Sequence, residues 1–208
     1  MISFAITTHN EGQYIQDLLD QLVPYCEKSG DEIIVVDDFS TDPFTINMLE
    51  GYERAGSIKL RQHALDKDFA AHKNFLTEQC AGDYIFQVDA DETFHPNLLM
   101  YLDDIVDNNS SIDLFIIPRV NVVNGLTDAD IRNWGWQVNE KGWVMFPDYQ
   151  TRLYRNHVDI RWEGRVHERI VGYKTMAPLP AEEEWSLYHI KDINRQRAQN
   201  ELYNTIQR

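Results

Sequence analysis

The stretch YIFQVDADETF, Tyr84 to Phe94, runs from a continuous apolar segment into three closely spaced carboxylates, Asp89, Asp91 and Glu92. Its first half reads as a buried strand. Adjacent acids repel one another unless a cation is shared between them, so a divalent metal is the first candidate. Working outward, apolar runs alternate with helical patterns. ISFAIT precedes a helix carrying Ile15, Leu18, Leu19, Leu22, Val23 and Cys26 at helical spacing, and EIIVVD follows. A helix-like TDPFTINMLEGYERA, the strand SIKLRQ and a helix over KDFAAHKNFLTEQC then lead into YIFQVD. Beyond it come a helix in HPNLLMYLDDIVDN, opened by Pro96, and the strand DLFIIPRV. This alternation predicts an α/β fold with a mainly parallel sheet covered by helices on both faces. Ligands of such sheets sit at the carboxyl ends of the strands. Polar clusters fall at three of those ends: TTHNE, DDFSTD and DADE.

At 208 residues, 43% hydrophobic and 25% charged, the chain suits one soluble domain over residues 1–208. The rhythm holds to Val120, after which an irregular aromatic region brings Trp134, Trp136, Trp143, Phe146, Tyr149 and Trp162. Trp134 and Trp136 read either as core or as platforms on which sugar rings stack. The tail DINRQRAQNELYNTIQR reads as a polar terminal helix. No apolar run approaches the ~20 residues of a membrane span, and Met1 leads straight into a strand without a basic leader, which points to a cytoplasmic protein. Cys26 and Cys80 fall on apolar stripes without metal spacing and read as reduced core thiols. The formal charge of −15 disfavours bulk nucleic-acid binding. The segment holding Arg152, Arg155, Arg161, Arg165 and Arg169 is the exception, and as a set these arginines could hold a phosphorylated ligand.

DADE is not a calcium loop, since Thr93 and Phe94 stand where a further oxygen ligand and glycine belong. HERIV lacks the second histidine of a zinc protease. YIFQVDADET also resembles the strand-then-DxDxT signature of haloacid-dehalogenase-type magnesium phosphatases, with Asp89 as nucleophile. That signature usually ends the first strand of its domain, whereas three strands precede it here.

Taken together, ITTHNEGQYI, IIVVDDFSTD, AAHKNFLTEQCAGDYIFQVDADE, QTRLYRN, WEGRVHE and YHIKD resemble, in order and over nearly the whole chain, a family-two inverting glycosyltransferase of GT-A type. Within that family they resemble particularly the branch related to lipopolysaccharide-core glucosyltransferases. The resemblance implies a nucleotide-sugar-binding half, 1–120, and an acceptor-side half with the terminal helix, 121–208. It implies Thr7, His9 and Glu11 around the nucleoside, Asp38 at the base, Lys73 at base or phosphates, and Asp89 near ribose and metal. Asp91 and His189 would be metal ligands, although Ile190 and Lys191 follow that histidine where the family often has an aromatic residue and glycine. Glu168 of WEGRVHE would face the acceptor.

The chemistry asks for such parts. Breaking a sugar–phosphate bond builds negative charge on a diphosphate, which Mn²⁺ or Mg²⁺ on carboxylate oxygens stabilises. An acceptor hydroxyl must lose its proton to a carboxylate base. Glu168 is the expected base, with Asp148 as alternative, and Arg165 and Arg169 nearby either keep Glu168 ionised or bind phosphate. The expected partners are a nucleoside-diphosphate sugar, UDP-sugar first, and a hydroxyl acceptor on a glycan, lipid-linked glycan, protein, small molecule or modified base. A magnesium phosphatase and a non-catalytic sugar-nucleotide or carbohydrate-binding protein are the alternatives.

Overall fold

The computed structural model describes residues 1–198; helix runs through 193–198, and the remainder of the expected terminal helix, 199–208, lies outside the described residues. In chain order the first elements are β1 (Ile2–Thr8), α1 (Gln13–Ser29), β2 (Glu32–Asp37), α2 (Pro43–Arg54), β3 (Lys59–Gln62), α3 (Phe69–Glu78) and β4 (Tyr84–Asp89). There follow β5 (Glu92–Phe94), α4 (Pro96–Met100), α5 (Leu102–Asn108), β6 (Leu114–Ile117), β7 (Arg119–Asn124) and α6 (Asp128–Trp134). The last are β8 (Gln150–Arg155), β9 (Arg161–Glu163), β10 (Arg169–Val171), β11 (Met176–Pro178) and β12 (Leu187–Asp192).

Seven strands form the central sheet in the order β11-β6-β8-β4-β1-β2-β3. Only β8 runs against its neighbours. Both faces are covered, which is why the central strands are continuous apolar runs rather than alternating ones. Phe4, Ile6, Ile33, Val35, Phe86 and Val88 pack with Ile15, Leu18, Leu19 and Leu22 of α1. Ala5, Ile34, Val36 and Ile85 pack on the other face with Ala70 and Leu76 of α3 and Trp162 of β9. Burial of each large side chain contributes roughly 1.5–3 kcal/mol.

Local chemistry sets the helix ends. Asp42 caps α2 through the Thr45 amide, with Pro43 in the first turn, and Asp68 caps α3 through the Ala71 amide. Gly30, left-handed at φ 79°, closes α1 on the Cys26 carbonyl. Cys26 is buried and Cys80 half-buried, both as free thiols.

Two segments depart from expectation. DLFIIPRV is not one strand: Pro118 has no N–H for the ladder, so the chain leaves the central sheet after β6 and β7 joins a second sheet ordered β5-β12-β7. HPNLLMYLDDIVDN breaks at Tyr101 (φ −105°, ψ 10°), and α5 restarts with Asp103 and Asp104 in its first turn.

The chain builds outward from β1 to β3 and then returns to β4 on the other side of β1, which creates a switch point between β1 and β4. There Thr7 pairs with Asp89 and Thr8 with Asp37. No helix among the described residues is long and apolar enough to cross a membrane.

Candidate active site

The three acids of DADE separate into different environments. Glu92 is fully buried. It accepts the Asp89 backbone N–H at 3.1 Å and takes Arg119 Nη1 (2.8 Å) and Arg152 Nη2 (2.6 Å) on the same oxygen, Oε1. Arg152, buried itself, also clamps Asp89 through both terminal nitrogens. Arg119 reaches on to Asp148 through Nε (3.0 Å) and Nη2 (2.6 Å). Asn121 (2.8 Å) and Gln150 (2.9 Å) add two further bonds to Asp148. The expectation of one cation shared by all three acids is corrected: arginines from β7 and β8 neutralise Glu92 and engage Asp89. Burial pushes the Asp89 carboxyl up, but Arg152 and Lys73 outweigh it and hold it well below the ordinary range. Asp148 is likewise lowered: burial opposes, and Arg119 with the Asn121 and Gln150 amides prevails.

Asp91 meets the second sheet. β12 pairs with β7 in a register that sets His189 opposite Asn121. A carboxylate only accepts, so Asn121 turns its NH₂ to Asp148 and its Oδ1 to His189 Nδ1, 2.9 Å away. Nδ1 therefore carries the proton, and Nε2 faces Asp91 Oδ2 at 3.1 Å. Two lone pairs at that separation call for a proton or a cation between them. Arg195 Nη2 also reaches Asp91 Oδ2 (3.0 Å) and Glu11 Oε2 (2.5 Å). Burial raises Asp91, yet the His189 hydrogen bond and the charges of His189, Lys191 and Arg195 leave its carboxyl far below the usual range. Lys191, two residues beyond His189 on the same side of β12, is buried in the cavity wall, and burial brings its ammonium down to about 8.

Among the described residues no group of three or more His, Cys, Asp or Glu side chains gathers to hold a metal ion. Asp91 and His189 offer one hard oxygen and one oriented imidazole nitrogen. That pair fits a divalent ion whose other ligands arrive with a phosphate-bearing ligand, and does not fit a closed structural site.

Two clefts meet here. One, of about 310 Å³, is lined by Thr7, His9, Glu11, Leu65 and His72. The other, of about 550 Å³, is lined by Trp136, Asp148, Gln150, Trp162 and His189. Lys73, Asp89, Asp91 and Glu168 line both. Of the two acids ending β2, Asp37 makes the turn by accepting the Ser40 N–H, while Asp38 Oδ1 accepts the Leu65 amide at 2.9 Å. The His9 imidazole lies 2.7 Å from the Asp38 carbonyl. Asn10, at positive φ (57°), accepts the Thr41 and Asp42 amides and fastens the two loops together.

Glu168 stands in the turn of the β9–β10 hairpin, immediately before β10. Its Oε1 accepts Lys73 Nζ at 2.6 Å, and that ammonium sits over the Trp162 ring at 4.3 Å. Trp136 lines the larger cleft, but Trp134 does not: it packs on Trp136 (ring centroids 4.7 Å) against the small cluster of Val123, Val144 and Ile193. Arg165 is also outside the clefts, 72% exposed and 3.8 Å from Asp68. The arginine segment disperses, because strand alternation and the hairpin send its members in different directions. Arg155 bonds Tyr84 Oη, Arg161 bonds Glu163, and only Arg152 reaches the cavity. Sequence reading gave no role to Arg119, Asn121, Lys191 or Arg195. For Lys191 a signal existed, since a strand places it on the same side as His189.

Fold and site define a class: a switch-point α/β sheet of GT-A type, with acids at the strand ends and a carboxylate–imidazole pair beside them. The glycosyl transferase family 2 model matches residues 3–169, and the chain belongs to that family. It is 29% identical over 125 residues to the poly(ribitol-phosphate) beta-N-acetylglucosaminyltransferase TarS of Staphylococcus aureus, covering 59% of this chain and 21% of TarS. It is 22% identical over 190 residues to the SPbeta prophage-derived glycosyltransferase SunS of Bacillus subtilis, covering 90% of this chain and 39% of SunS. The crystal structure of S. aureus TarS 1-349 in complex with UDP-GlcNAc superimposes with a TM-score of 0.61 at 21% identity, covering 91% of this chain and 58% of that one. The chain thus spans about a fifth to two-fifths of the length of these curated relatives.

Proposed function

We propose that this chain is a metal-dependent inverting glycosyltransferase that moves a hexosyl or pentosyl group from a nucleoside-diphosphate sugar, a UDP-sugar first, to a hydroxyl acceptor. The observation that carries the reading is the junction of the two clefts. The acids ending β4, the Asp91–His189 pair, Lys73 and Glu168 all meet there. Thr7, His9 and Glu11, which line the smaller cleft, would take the nucleoside, with Asp38 reaching its base from beside His9. Residues 121–198 supply the acceptor side, where Trp136 offers a face for a sugar ring. The TarS structure with UDP-GlcNAc supports the choice of UDP-sugar.

Asp91 and His189 are the residues that would hold Mn²⁺ or Mg²⁺, with Asp89, clamped by Arg152, near the ion and the ribose. When bound, the ion supplies positive charge to the departing diphosphate. Glu168 takes the acceptor hydroxyl proton while that oxygen bonds to the anomeric carbon on the face opposite the leaving group. The electron pair of the breaking bond goes to the diphosphate. Lys73 fixes Glu168 and brings a further positive charge to the junction. Asp148 is the weaker candidate for base, because its oxygens already accept four hydrogen bonds. A phosphatase nucleophile at Asp89 conflicts with the two-nitrogen clamp from Arg152.

A panel of nucleoside-diphosphate sugars tests the reading by thermal shift with Mn²⁺ and with chelator. Ligand at a hundred times Kd stabilises by about 2.7 kcal/mol, a rise of roughly 5–10 °C for a chain of this size. No shift with any nucleoside diphosphate in Mn²⁺ overturns the donor site. Binding without transfer or donor hydrolysis across varied acceptors replaces the enzyme with a sugar-nucleotide-binding protein.

A further inference from the structure

We propose that Arg195 is a built-in counter-cation of the donor site: it bridges Glu11 and Asp91, competes there with the metal ion for Asp91, and passes to the diphosphate when donor binds. This rests on the nucleotide-sugar reading above and adds to it a residue that the strand-end motifs do not contain.

The geometry is specific. A single nitrogen, Nη2 of Arg195, lies 2.5 Å from Glu11 Oε2 and 3.0 Å from Asp91 Oδ2. It therefore joins the loop after β1 to the loop after β4 across the switch point. Asp91 Oδ2 is also the oxygen that faces His189 Nε2 at 3.1 Å. The atom best placed to bind a metal is thus occupied on one side by an imidazole and on another by a guanidinium. An ion bound at about 2.1 Å from that oxygen would compete with Arg195 for both space and charge. The two cannot share Asp91 without strong repulsion.

Glu11, Asp91 and Asp89 lie close enough to repel one another, and the guanidinium offsets that repulsion. Burial, with Asp91 and Asp89 nearby, raises the Glu11 carboxyl even though Arg195 opposes this. Arg119 is already committed to Glu92 and Asp148 in the cavity wall. Arg195 also has a platform on which to turn, since its guanidinium stacks over the Tyr14 ring at 4.5 Å. It lies three residues past the end of β12, in the helical run 193–198, so a side-chain rotation suffices to carry its fork from carboxylate to phosphate oxygens.

Competition followed by transfer predicts shifts of opposite sign. Mn²⁺ alone, titrated against the full chain and followed by the electron paramagnetic resonance signal of the free ion, should bind roughly tenfold more tightly to Arg195→Gln than to the wild type. UDP in saturating Mn²⁺, measured by calorimetry, should bind roughly tenfold more weakly to the same variant, and inorganic pyrophosphate should show the same loss without the base. Arg195→Lys, which keeps the charge and loses the fork, should retain wild-type Mn²⁺ affinity and lose part of the UDP affinity. Unchanged or weakened Mn²⁺ binding in Arg195→Gln with an unaltered thermal midpoint overturns the competition. If Arg195→Gln unfolds, Tyr14→Leu gives the same reading: removal of the platform should also tighten Mn²⁺ binding, and no change there overturns the proposal. If the wild type binds neither UDP nor any other nucleoside diphosphate, the donor-site reading falls first and this inference falls with it.

Discussion

Glu92 takes two guanidinium groups in the core, Asp89 is clamped by Arg152, and Asp91 faces an imidazole whose other nitrogen is fixed by Asn121. Because Asn121 decides which ring nitrogen is presented, Asn121→Ala should weaken Mn²⁺-dependent UDP affinity by about 10–100-fold, the usual cost of losing such an orienting group. Calorimetry in Mn²⁺ and in chelator separates this from a general defect: only the Mn²⁺ value should change. Glu168→Gln should lower transfer by ~10²–10⁴-fold while UDP binding persists, the range for loss of a general base. Asp148→Asn should instead act chiefly on stability, through the bonds it makes to Arg119, Asn121 and Gln150. Near-wild-type transfer by Glu168→Gln, together with abolished transfer in folded Asp148→Asn, would move the base to Asp148. At this scale the sequence disclosed which acids stand at strand ends. It did not disclose their counter-ions, because Arg119 and Arg152 arrive from strands 27 and 60 residues away from Glu92.

The β9–β10 hairpin is the element that carries Glu168, and it is held by packing of Trp162 and Ile170 on α3 and by Asn74, which bonds Trp162 at both backbone groups. Gly172 ends it at φ 86°, where an added Cβ would lie 1.8 Å from the Asp159 carbonyl oxygen. Gly172→Ala must therefore open the hairpin end, at a cost of about 2–3 kcal/mol from backbone strain and displaced packing. Transfer should fall more than UDP affinity, since Thr7, Asp38 and Asp91 lie on other elements; urea denaturation and calorimetry on the same variant check both. β12 shows how alternation places function: His189 and Lys191 turn into the cavity while Ile190 between them is exposed. The break at Pro118 was written in the sequence but hidden inside an apolar run. Its consequence, a second sheet that brings Asn121 beside His189, depends on pairing between β7 and β12, 68 residues apart.

Over the whole molecule, a formal charge of −15 coexists with an internal network in which buried acids and arginines balance. Asp91 and Asp148 have folded-state values below the ordinary carboxylate value of about 3.9, so their stabilisation is complete above about pH 4 and is lost as pH falls through the lowered values. Glu11, raised by burial, acts in the opposite sense and offsets part of that loss. The urea midpoint should therefore be nearly level from pH 7 to about 5 and fall below about 4, and Asp148→Asn should show a lower plateau with a shallower acid limb. The period of apolar residues was enough to set the α/β order, the parallel centre of the sheet and the three acidic strand ends, because these follow from local hydrophobic pattern and from the rule that such sheets bind at their carboxyl edge. Which Trp meets the cavity, which of five arginines enters it, and what neutralises each acid were decided only by the tertiary structure. Those outcomes depend on pairings between residues far apart in the chain, where burial makes an unpaired charge costly and so selects its partner by geometry rather than by sequence distance.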